Sequence, residues 1–253
     1  MIGPKKITRE ERMKIAYSIA NQVLERYGSK VQAIGIYGSL ARKTDGPFSD
    51  LEIKCILNAF DEDFCYEWTA GDWKAEVNFE SVEHIIEEAT TVDERWPLTH
   101  GQFFNILPIY DPNDFFSELK VKASSIDSSI FKEAICRTLV EEMYEYIGKM
   151  RNIGLQGPLT FLPILAMEIA IAGAMILGLH NKQFFTTSAQ VLPEALSFTD
   201  KPEGFEVLCE LVMSGNLSDA QQIIVICENY WDSLLEWYAQ HGYQIECSKV
   251  IPW

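Results

Sequence analysis

Three short segments in the first half of the chain have the apolar and polar pattern of β-strands. They are residues 33–37, 51–57 and 73–79. Residues i and i+2 of a strand project from the same face. Asp50 and Glu52 should therefore project together, opposite the apolar side chains of the second segment. The third segment repeats this division between a polar and an apolar face.

The first half of the chain also carries signals for helices. Thr8 and Glu11 form a capping box for an opening helix, which should end near Gly28. Ser81 is placed to cap a second helix. Residues 103–110 are apolar and aromatic and predict one more strand.

The second half is predicted to be helical. Asp127 is placed to cap a helix that runs to about Arg151, another helix follows Pro158, and one more extends from Ser218 to Gly242. The change from mixed elements to helices predicts an α+β protein of two domains. Their predicted ranges are residues 1–127 and 128–253.

One apolar segment, residues 161–179, is long enough to cross a bilayer. It contains Glu168 and Pro163 and is rich in alanine and glycine, which favours a buried helix of a bundle. The N-terminus lacks the apolar core of a secretory signal. These features predict a cytoplasmic protein that is not inserted in a membrane.

The formal net charge of −16 narrows the choice of partners. A nucleic-acid partner is not expected, because phosphate binding needs lysine and arginine. An acidic surface would instead concentrate a polycationic ligand, although ordinary solubility charge explains the same number. The six cysteines are widely spaced and form no C-x-x-C motif, so they predict reduced thiols rather than a zinc site.

The segment between the first two strands carries the candidate chemistry. A small Gly38-Ser39 turn lets backbone amides approach a triphosphate. Asp50 and Glu52 are hard oxygen ligands of the kind that bind Mg²⁺ together with substrate phosphates. The pattern favours a nucleotidyl-transfer site, the alternative being a solvated sheet edge that simply carries charge.

These motifs resemble those of the DNA polymerase beta-like nucleotidyltransferases and, among them, the kanamycin nucleotidyltransferases. The resemblance runs nearly end to end, and the Trp-Pro-Leu-Thr-His-Gly-Gln-Phe-Phe run at 96–104 is specific to the aminoglycoside-modifying branch. The other segments that carry it are 8–13, 37–40, 44–50, 67–69, 76–79, 156–158 and 186–188. It implies an N-terminal nucleotidyltransferase domain with a mixed sheet and flanking helices, followed by a helical bundle.

The resemblance also implies roles for individual residues. Asp50 and Glu52 would hold Mg²⁺, and Glu145 would be the general base. The residues implied to contact the nucleotide, which is ATP or another nucleoside triphosphate, are Ser39, Arg42, Ser49, Lys149 and Thr187. The residues implied to meet the ammonium groups of an aminoglycoside are Glu67, Glu76, Glu141 and Glu145.

Spacing alone gives a simpler interpretation of the helix after Asp127. Glu141, Glu145 and Lys149 are four residues apart and lie on one stripe, as in a surface ladder of ion pairs. The resemblance instead makes Glu145 and Lys149 catalytic and implies a homodimer in which each active site uses both subunits. His100, Trp96 and Phe103 are expected to be structural rather than ligand contacts.

Three hypotheses follow. The leading one is an aminoglycoside nucleotidyltransferase that transfers AMP from Mg-ATP to a sugar hydroxyl, the 4′-hydroxyl of kanamycin-type antibiotics by the resemblance, and so confers resistance. The second is a nucleotidyltransferase of the same superfamily that modifies a protein or another small alcohol. The third is a non-catalytic nucleotide-binding protein, which the joint presence of Ser39, Asp50, Glu52 and Glu145 disfavours.

Overall fold

The computed structural model describes residues 3–59, 62–245 and 247–251. The chain forms two compact units. The sheet unit extends through Thr91 and includes His100–Ile126. The helical unit comprises Val92–Thr99 and the chain from Asp127 onwards.

The strands are β1 (Val31–Ile36), β2 (Leu51–Leu57), β3 (Phe64–Thr69), β4 (Lys74–Ser81) and β5 (Leu107–Tyr110). The helices of the sheet unit are α1 (Arg9–Tyr27), α2 (Gly38–Arg42), α3 (Val82–Thr90), α5 (Gly101–Phe104) and α6 (Phe115–Ser124). The helices of the helical unit are α4 (Trp96–Thr99), α7 (Ser128–Thr138), α8 (Tyr144–Gln156), α9 (Leu162–Asn181), α10 (Val191–Leu196), α11 (Phe205–Ser214) and α12 (Ala220–Gln240).

The five strands form one mixed sheet in the order β3-β4-β2-β1-β5. The central pair, β2 and β4, is parallel, whereas the other neighbouring pairs are antiparallel. A parallel pair needs a connection that crosses over the sheet. The mixed sheet with helices in the first half, and the helical second half, confirm the predicted α+β fold.

Both faces of the sheet are covered within the sheet unit. One core contains the alternate residues Leu51, Ile53 and Cys55 of β2 together with the apolar side of α1. The other contains Ile56 of β2 with Ile85 of α3 and neighbours from α6. The central strands are therefore buried on both sides beyond Glu52, as is usual for parallel strands, and the buried charges of Lys54 and Glu80 are paired with each other.

Local capping signals place the predicted helices. The Thr8–Glu11 capping box is formed, and α1 is followed by Gly28 as its C-cap. Ser81 accepts a hydrogen bond from the backbone N–H of His84 and begins α3. Asp127 caps α7 in the same way, through the N–H of Ser129.

The apolar helix α9 is the core of the helical unit. It is long and apolar enough to cross a membrane, but most of it is buried within the protein. A methyl group on Gly178 would lie 2.6 Å from Cβ of Pro97, so glycine allows α9 and α4 to approach closely. The prediction of a buried bundle helix is confirmed for the described residues.

Several details differ from the sequence prediction. The strand predicted over 103–110 is shorter, because Gly101–Phe104 forms a helical turn and only Leu107–Tyr110 pairs with β1. The last helix begins after Asp219, which accepts hydrogen bonds from two backbone N–H groups, and not directly after Ser218. A π-helical turn, Leu139–Met143, separates α7 from α8 within the helix predicted from Asp127.

Candidate active site

Carboxylates from three strands lie side by side on one face of the sheet. Glu52 of β2 pairs with Glu76 of β4, and Glu76 pairs with Glu67 of β3. Paired residues on neighbouring strands project from the same face. Asp50 comes two residues before Glu52 and completes the group. These four residues are called the acidic row below.

The carboxylate of Glu52 is the most constrained member of the acidic row. Its burial, followed by repulsion from Asp50 and Glu76, raises its pKa, while Arg42 and the backbone N–H of Ser39 lower it. The effects that raise the pKa are the larger ones, so the negative charge of Glu52 is only partly compensated by its surroundings. A cation that binds beside it would relieve this repulsion.

The backbone of α2 approaches Glu52 directly. Gly38 has φ +68°, and a Cβ built on it would lie 1.5 Å from Oε2 of Glu52. Only glycine fits this position, both because of its positive φ and because the carboxylate takes the space. The Gly38-Ser39 motif therefore brings a backbone amide to the acidic row, while its approach to a triphosphate stays a prediction.

Two cationic side chains border the acidic row. Lys74 Nζ lies 3.5 Å from Oδ2 of Asp50 and 2.5 Å from Oε1 of Glu67. Its hydrogen bond to Glu67 raises the pKa of Lys74, so the ammonium stays charged. Arg42 Nε is buried and has no hydrogen-bond partner among the described residues. An anion such as a phosphate would satisfy this donor.

Tyr37 and Asn78 donate hydrogen bonds to Glu76, a role that the sequence did not predict for either residue. The Tyr37 hydroxyl donates to Oε1 of Glu76, and Asn78 Nδ2 donates to that hydroxyl oxygen at 2.7 Å and to Glu76 at 3.2 Å. Burial and the hydrogen bond to Glu76 raise the pKa of Tyr37, so its phenol stays protonated. The signal for Asn78 was its place on the same strand face as Glu76.

A buried ion cluster fixes the loop that carries Ser49 and Asp50. Arg12 of α1 is 2% exposed, and its Nη1 lies 2.7 Å from Oδ2 of Asp45. Its Nε donates to the carbonyl oxygen of Ser49 at 3.1 Å. The Ser49 hydroxyl accepts from the N–H of Gly46 at 3.0 Å. The loop is thus tied to α1 immediately before the acidic row.

The helical unit contains the second group of predicted site residues. Lys149 Nζ forms an ion pair with Oε1 of Glu145 at 2.5 Å, and both side chains are about half exposed. The hydrogen bond that Lys149 donates to Glu145 raises the pKa of Lys149. Glu141 is exposed on the π-helical turn one turn earlier. Turns of this kind often occur at functional sites.

Two further carboxylates near Glu145 were not expected from the sequence. Glu142 is half-buried, and its pKa is raised first by burial and then by nearby charges that include Glu94, Glu141 and Glu168. The negative charge of Glu168 in α9 also contributes to raising the pKa of Tyr146 and of Lys149. Sequence separation from Glu145 hid Glu168, since only packing of α8 against α9 brings it near, whereas Glu142 lies three residues from Glu145 and helical spacing could have found it.

The remaining predicted residues have identifiable places. Thr187 precedes the 3₁₀ turn Ser188–Gln190, where its carbonyl accepts from the N–H of Gln190 at 2.9 Å. His100 is 5% exposed, with Nε2 2.8 Å from the carbonyl oxygen of Glu88. Trp96 and Phe103 are buried in the cores of their units. These contacts agree with the structural interpretation of His100, Trp96 and Phe103.

Two cavities of the sheet unit differ in character. A cavity of about 460 Å³ is lined by Ser49, Asp50 and Lys74, among others, beside the acidic row. A slightly larger one, of about 500 Å³, lies on the other face of the sheet between α1 and apolar residues such as Val77 and Phe79. The first cavity borders the acidic row through Asp50, whereas the second is lined mainly by apolar and aromatic side chains together with Arg26.

The donor set of the acidic row fits a magnesium ion. Mg²⁺ prefers oxygen ligands and is usually held by one or two carboxylates together with substrate phosphates. Asp50 and Glu52 supply two such carboxylates, and the raised pKa of Glu52 reflects the charge that a cation would balance. Glu76 is less available, because Tyr37 and Asn78 already donate to it.

Comparison with known proteins gives the family. A profile of the KNTase C-terminal domain matches residues 113–244. The chain is 50% identical over 252 residues, covering 100% of both chains, to proteins named aminoglycoside nucleotidyltransferase (4′) from Staphylococcus aureus and from Bacillus sp.

The structure also resembles a solved one. A nucleotidyltransferase-like protein from Exiguobacterium sibiricum 255-15 matches with a TM-score of 0.56 over 91% of this chain and 77% of that one, at 12% identity. That likeness concerns the fold alone. The full-length sequence identity and the matching domain show that the chain belongs to the aminoglycoside nucleotidyltransferase (4′) family.

Proposed function

We propose that this protein transfers a nucleotidyl group from a nucleoside triphosphate to the 4′-hydroxyl of a kanamycin-type aminoglycoside and thereby confers resistance. The observation that carries the proposal is the acidic row, in which strand pairing brings Glu52, Glu76 and Glu67 together and Asp50 precedes Glu52 by two residues. The names of the relatives supply the substrate class and the position on the sugar.

Asp50 and Glu52 are the residues that would hold Mg²⁺. When bound, the ion would neutralise phosphate charge and orient the triphosphate for displacement. The uncompensated charge at Glu52 supports this assignment. Glu76 would remain beside the ion, held by Tyr37, rather than serve as an obligatory ligand.

Phosphate binding falls to groups that surround the acidic row. The Arg42 guanidinium has a buried Nε that is free to donate to an anion. The Ser39 hydroxyl lies at the start of α2, next to the backbone that approaches Glu52. The Ser49 hydroxyl already accepts from Gly46 but retains its own hydrogen for a phosphate oxygen. Thr187 is proposed as a further nucleotide contact from the resemblance.

Glu145 is proposed as the general base. Its carboxylate takes the proton of the sugar hydroxyl, and the hydroxyl oxygen forms a bond to the α-phosphorus. The bond between the α-phosphorus and the bridging oxygen breaks, and pyrophosphate leaves with that electron pair. Lys149 stays charged beside Glu145 and contributes positive charge to the nucleotide. A positioned base of this kind contributes about 10²–10⁴-fold to the rate.

The aminoglycoside would be bound through its ammonium groups. Glu67, Glu76 and Glu141 are the proposed partners, and the chain's net charge of −16 favours the approach of a polycation. We further propose a homodimer in which the acidic row of one subunit works with Glu145 of the other. The resemblance supports this assembly, and the presence of the two groups in different compact units is compatible with it.

The cytoplasm is the proposed location, since ATP and Mg²⁺ are available there. The burial of most of α9 supports this location. The protein would thus act on an antibiotic that has already entered the cell.

Mass spectrometry tests the proposed reaction. Kanamycin incubated with the protein and Mg-ATP should gain one AMP, and two-dimensional NMR should place it on the 4′-oxygen. A 4′-deoxy derivative of kanamycin is the matched control and should remain unmodified. Failure to modify any aminoglycoside, together with AMP attached to a protein or another alcohol, would contradict the proposal.

A further inference from the structure

Three segments of the helical unit bring two imidazoles and a carboxylate together, and none of these three residues is assigned a role above. His180 lies in the last turn of α9, Asp200 lies between α10 and α11, and His241 follows α12. Nε2 of His241 lies 2.7 Å from Oδ2 of Asp200, and Nε2 of His180 lies 3.3 Å from the same oxygen. The three potential ligand atoms are within 4.8 Å of one another.

Contacts behind the three side chains determine which atoms face inward. Nδ1 of His241 lies 2.9 Å from the carbonyl oxygen of Trp237. A carbonyl can only accept, so Nδ1 carries the hydrogen and Nε2 of the neutral ring presents a lone pair. Nδ1 of His180 contacts the hydroxyl of Tyr243 at 2.6 Å. Trp237 Nε1 donates to the outer oxygen of Asp200 at 2.7 Å.

This arrangement leaves a local electrostatic problem. The lone pair of a neutral His241 is directed at a carboxylate oxygen, which is repulsive unless a proton or a cation lies between them. The His180 side chain is 18% exposed and the His241 side chain 25% exposed, so water screens the contact only in part. Metal-binding histidines characteristically have their other ring nitrogen held by a carbonyl or a similar group, as both are here.

We propose that His180, Asp200 and His241 form a site for a divalent transition-metal ion, with Zn²⁺ as the best match and water as the fourth ligand. Imidazole nitrogens and one carboxylate suit zinc, whereas Mg²⁺ prefers oxygen ligands alone. Ligand atoms about 2.0–2.1 Å from a tetrahedral zinc lie roughly 3.3 Å apart. The contact from His180 has this length, and the contact from His241 needs a small opening.

A bound ion would join the ends of α9 and α12 to the segment before α11. The three ligands are 20 and 41 residues apart along the chain. Binding to the folded state alone would stabilise the helical unit by mass action. This role is independent of nucleotidyl transfer and of the acidic row in the sheet unit.

Titration with zinc tests the proposal. Untagged protein treated with EDTA and then dialysed should bind one Zn²⁺ per chain in calorimetry, with a dissociation constant below about 10 µM. Co²⁺ at the same site should give visible absorption bands typical of nitrogen and oxygen ligands. His241→Gln and Asp200→Asn should each weaken zinc binding at least about 10-fold. Tyr243→Phe should weaken it by no more than about 100-fold.

Matched variants separate this site from other zinc ligands. His84→Gln removes the histidine of another cluster, formed with Glu80 and Glu88, and should leave binding unchanged. Replacing the exposed Cys65 and Cys247 by serine should also leave it unchanged. Circular dichroism without metal checks that each variant is folded. If His241→Gln does not fold, the zinc affinity of Asp200→Asn tests the proposal instead, because that half-exposed side chain can be replaced with less effect on folding. Absence of stoichiometric binding, or binding that the cysteine variant loses, would overturn the proposal.

Discussion

In the sheet unit, carboxylates are held against one another by strand pairing, whereas in the helical unit the main candidate pair is an exposed contact on a helix. Glu52 is partly buried between Asp50 and Glu76, and this environment raises its pKa. Glu145 instead forms an ion pair with Lys149, one helical turn away, on the exposed surface of α8. Repulsion that a rigid sheet maintains favours binding of a cation, while an exposed ion pair is common without any function.

The two regions therefore differ in how strongly their structure indicates a function. Geometry alone supports a cation-binding role for the acidic row, since the strand register places Glu52, Glu76 and Glu67 together. The role of Glu145 depends on the family, because its contacts are those of a surface pair. Substitutions in the acidic row and at Glu145 should therefore change activity in distinguishable ways.

The largest expected effect comes from the acidic row. Asp50→Asn and Glu52→Gln should each lower kcat by at least about 10²-fold at saturating Mg²⁺, because a neutral amide is a poor ligand for a hard cation. Steady-state assays with kanamycin measure this loss. Glu83→Gln, an exposed carboxylate of α3, is the control and should retain the wild-type rate. A tenth of the wild-type rate in either variant would remove that residue from the metal site.

Glu145→Gln should lower kcat by about 10²–10⁴-fold with little change in KM, because the amide cannot accept the hydroxyl proton. Glu141→Gln should mainly raise KM, and more strongly at low salt, where exposed charges are less screened. The comparison needs kcat and KM for both variants at two ionic strengths. Equal effects on KM alone would make Glu145 a binding residue.

The buried Lys54 should matter for stability more than any pair on the helical surface. Its Nζ lies 2.9 Å from Oε1 of Glu80, and the Lys54 side chain is 3% exposed. Burial raises the pKa of Glu80 despite this partner. Lys54→Met leaves a buried carboxylate uncompensated and should cost about 3–5 kcal/mol in urea unfolding.

A double variant is the control for that measurement. Lys54→Met combined with Glu80→Gln removes both charges and should recover most of the loss. A cost below about 1 kcal/mol for the single variant would show that Glu80 finds another partner or water.

A smaller effect should appear at Glu52 in metal-free protein. The folded state binds the Glu52 proton more tightly than the unfolded chain, so stability falls as pH rises through the raised pKa. The penalty is fully present above that pKa and absent below the ordinary pKa of a glutamate. Glu52→Gln should therefore raise Tm by roughly 2–4 °C at pH 8 in EDTA, with no gain near pH 4. A lower Tm at pH 8 would contradict the repulsion.

Local signals in the sequence predicted the helix starts and the pairing of Asp50 with Glu52, whose role as metal ligands stays a proposal. Thr8, Ser81 and Asp127 cap the helices that they were expected to cap, since capping depends on residues within one turn. Asp50 and Glu52 could be paired because a strand has a period of two. Every one of these inferences involves neighbours along the chain.

Features that depend on distant residues were not predictable in the same way. Strand β3 was missed, because Phe64–Thr69 is a largely exposed edge strand with a weak apolar pattern. The pairing of Glu67 with Glu76, and the hydrogen bond from Tyr37, require the register of the sheet. The π-helical turn Leu139–Met143 has no clear sequence signature.

Complementation between subunits tests most directly whether the acidic row and Glu145 form one shared active site. Chains with Asp50→Asn and chains with Glu145→Gln are co-expressed with different tags, and the mixed dimers are purified and assayed. In a two-fold dimer with shared sites, each mixed dimer has one intact and one doubly defective site, so unpurified random mixtures should recover about a quarter of wild-type activity. Purified mixed dimers should reach about half. No recovery in mixed dimers would show that Asp50 and Glu145 act within a single subunit.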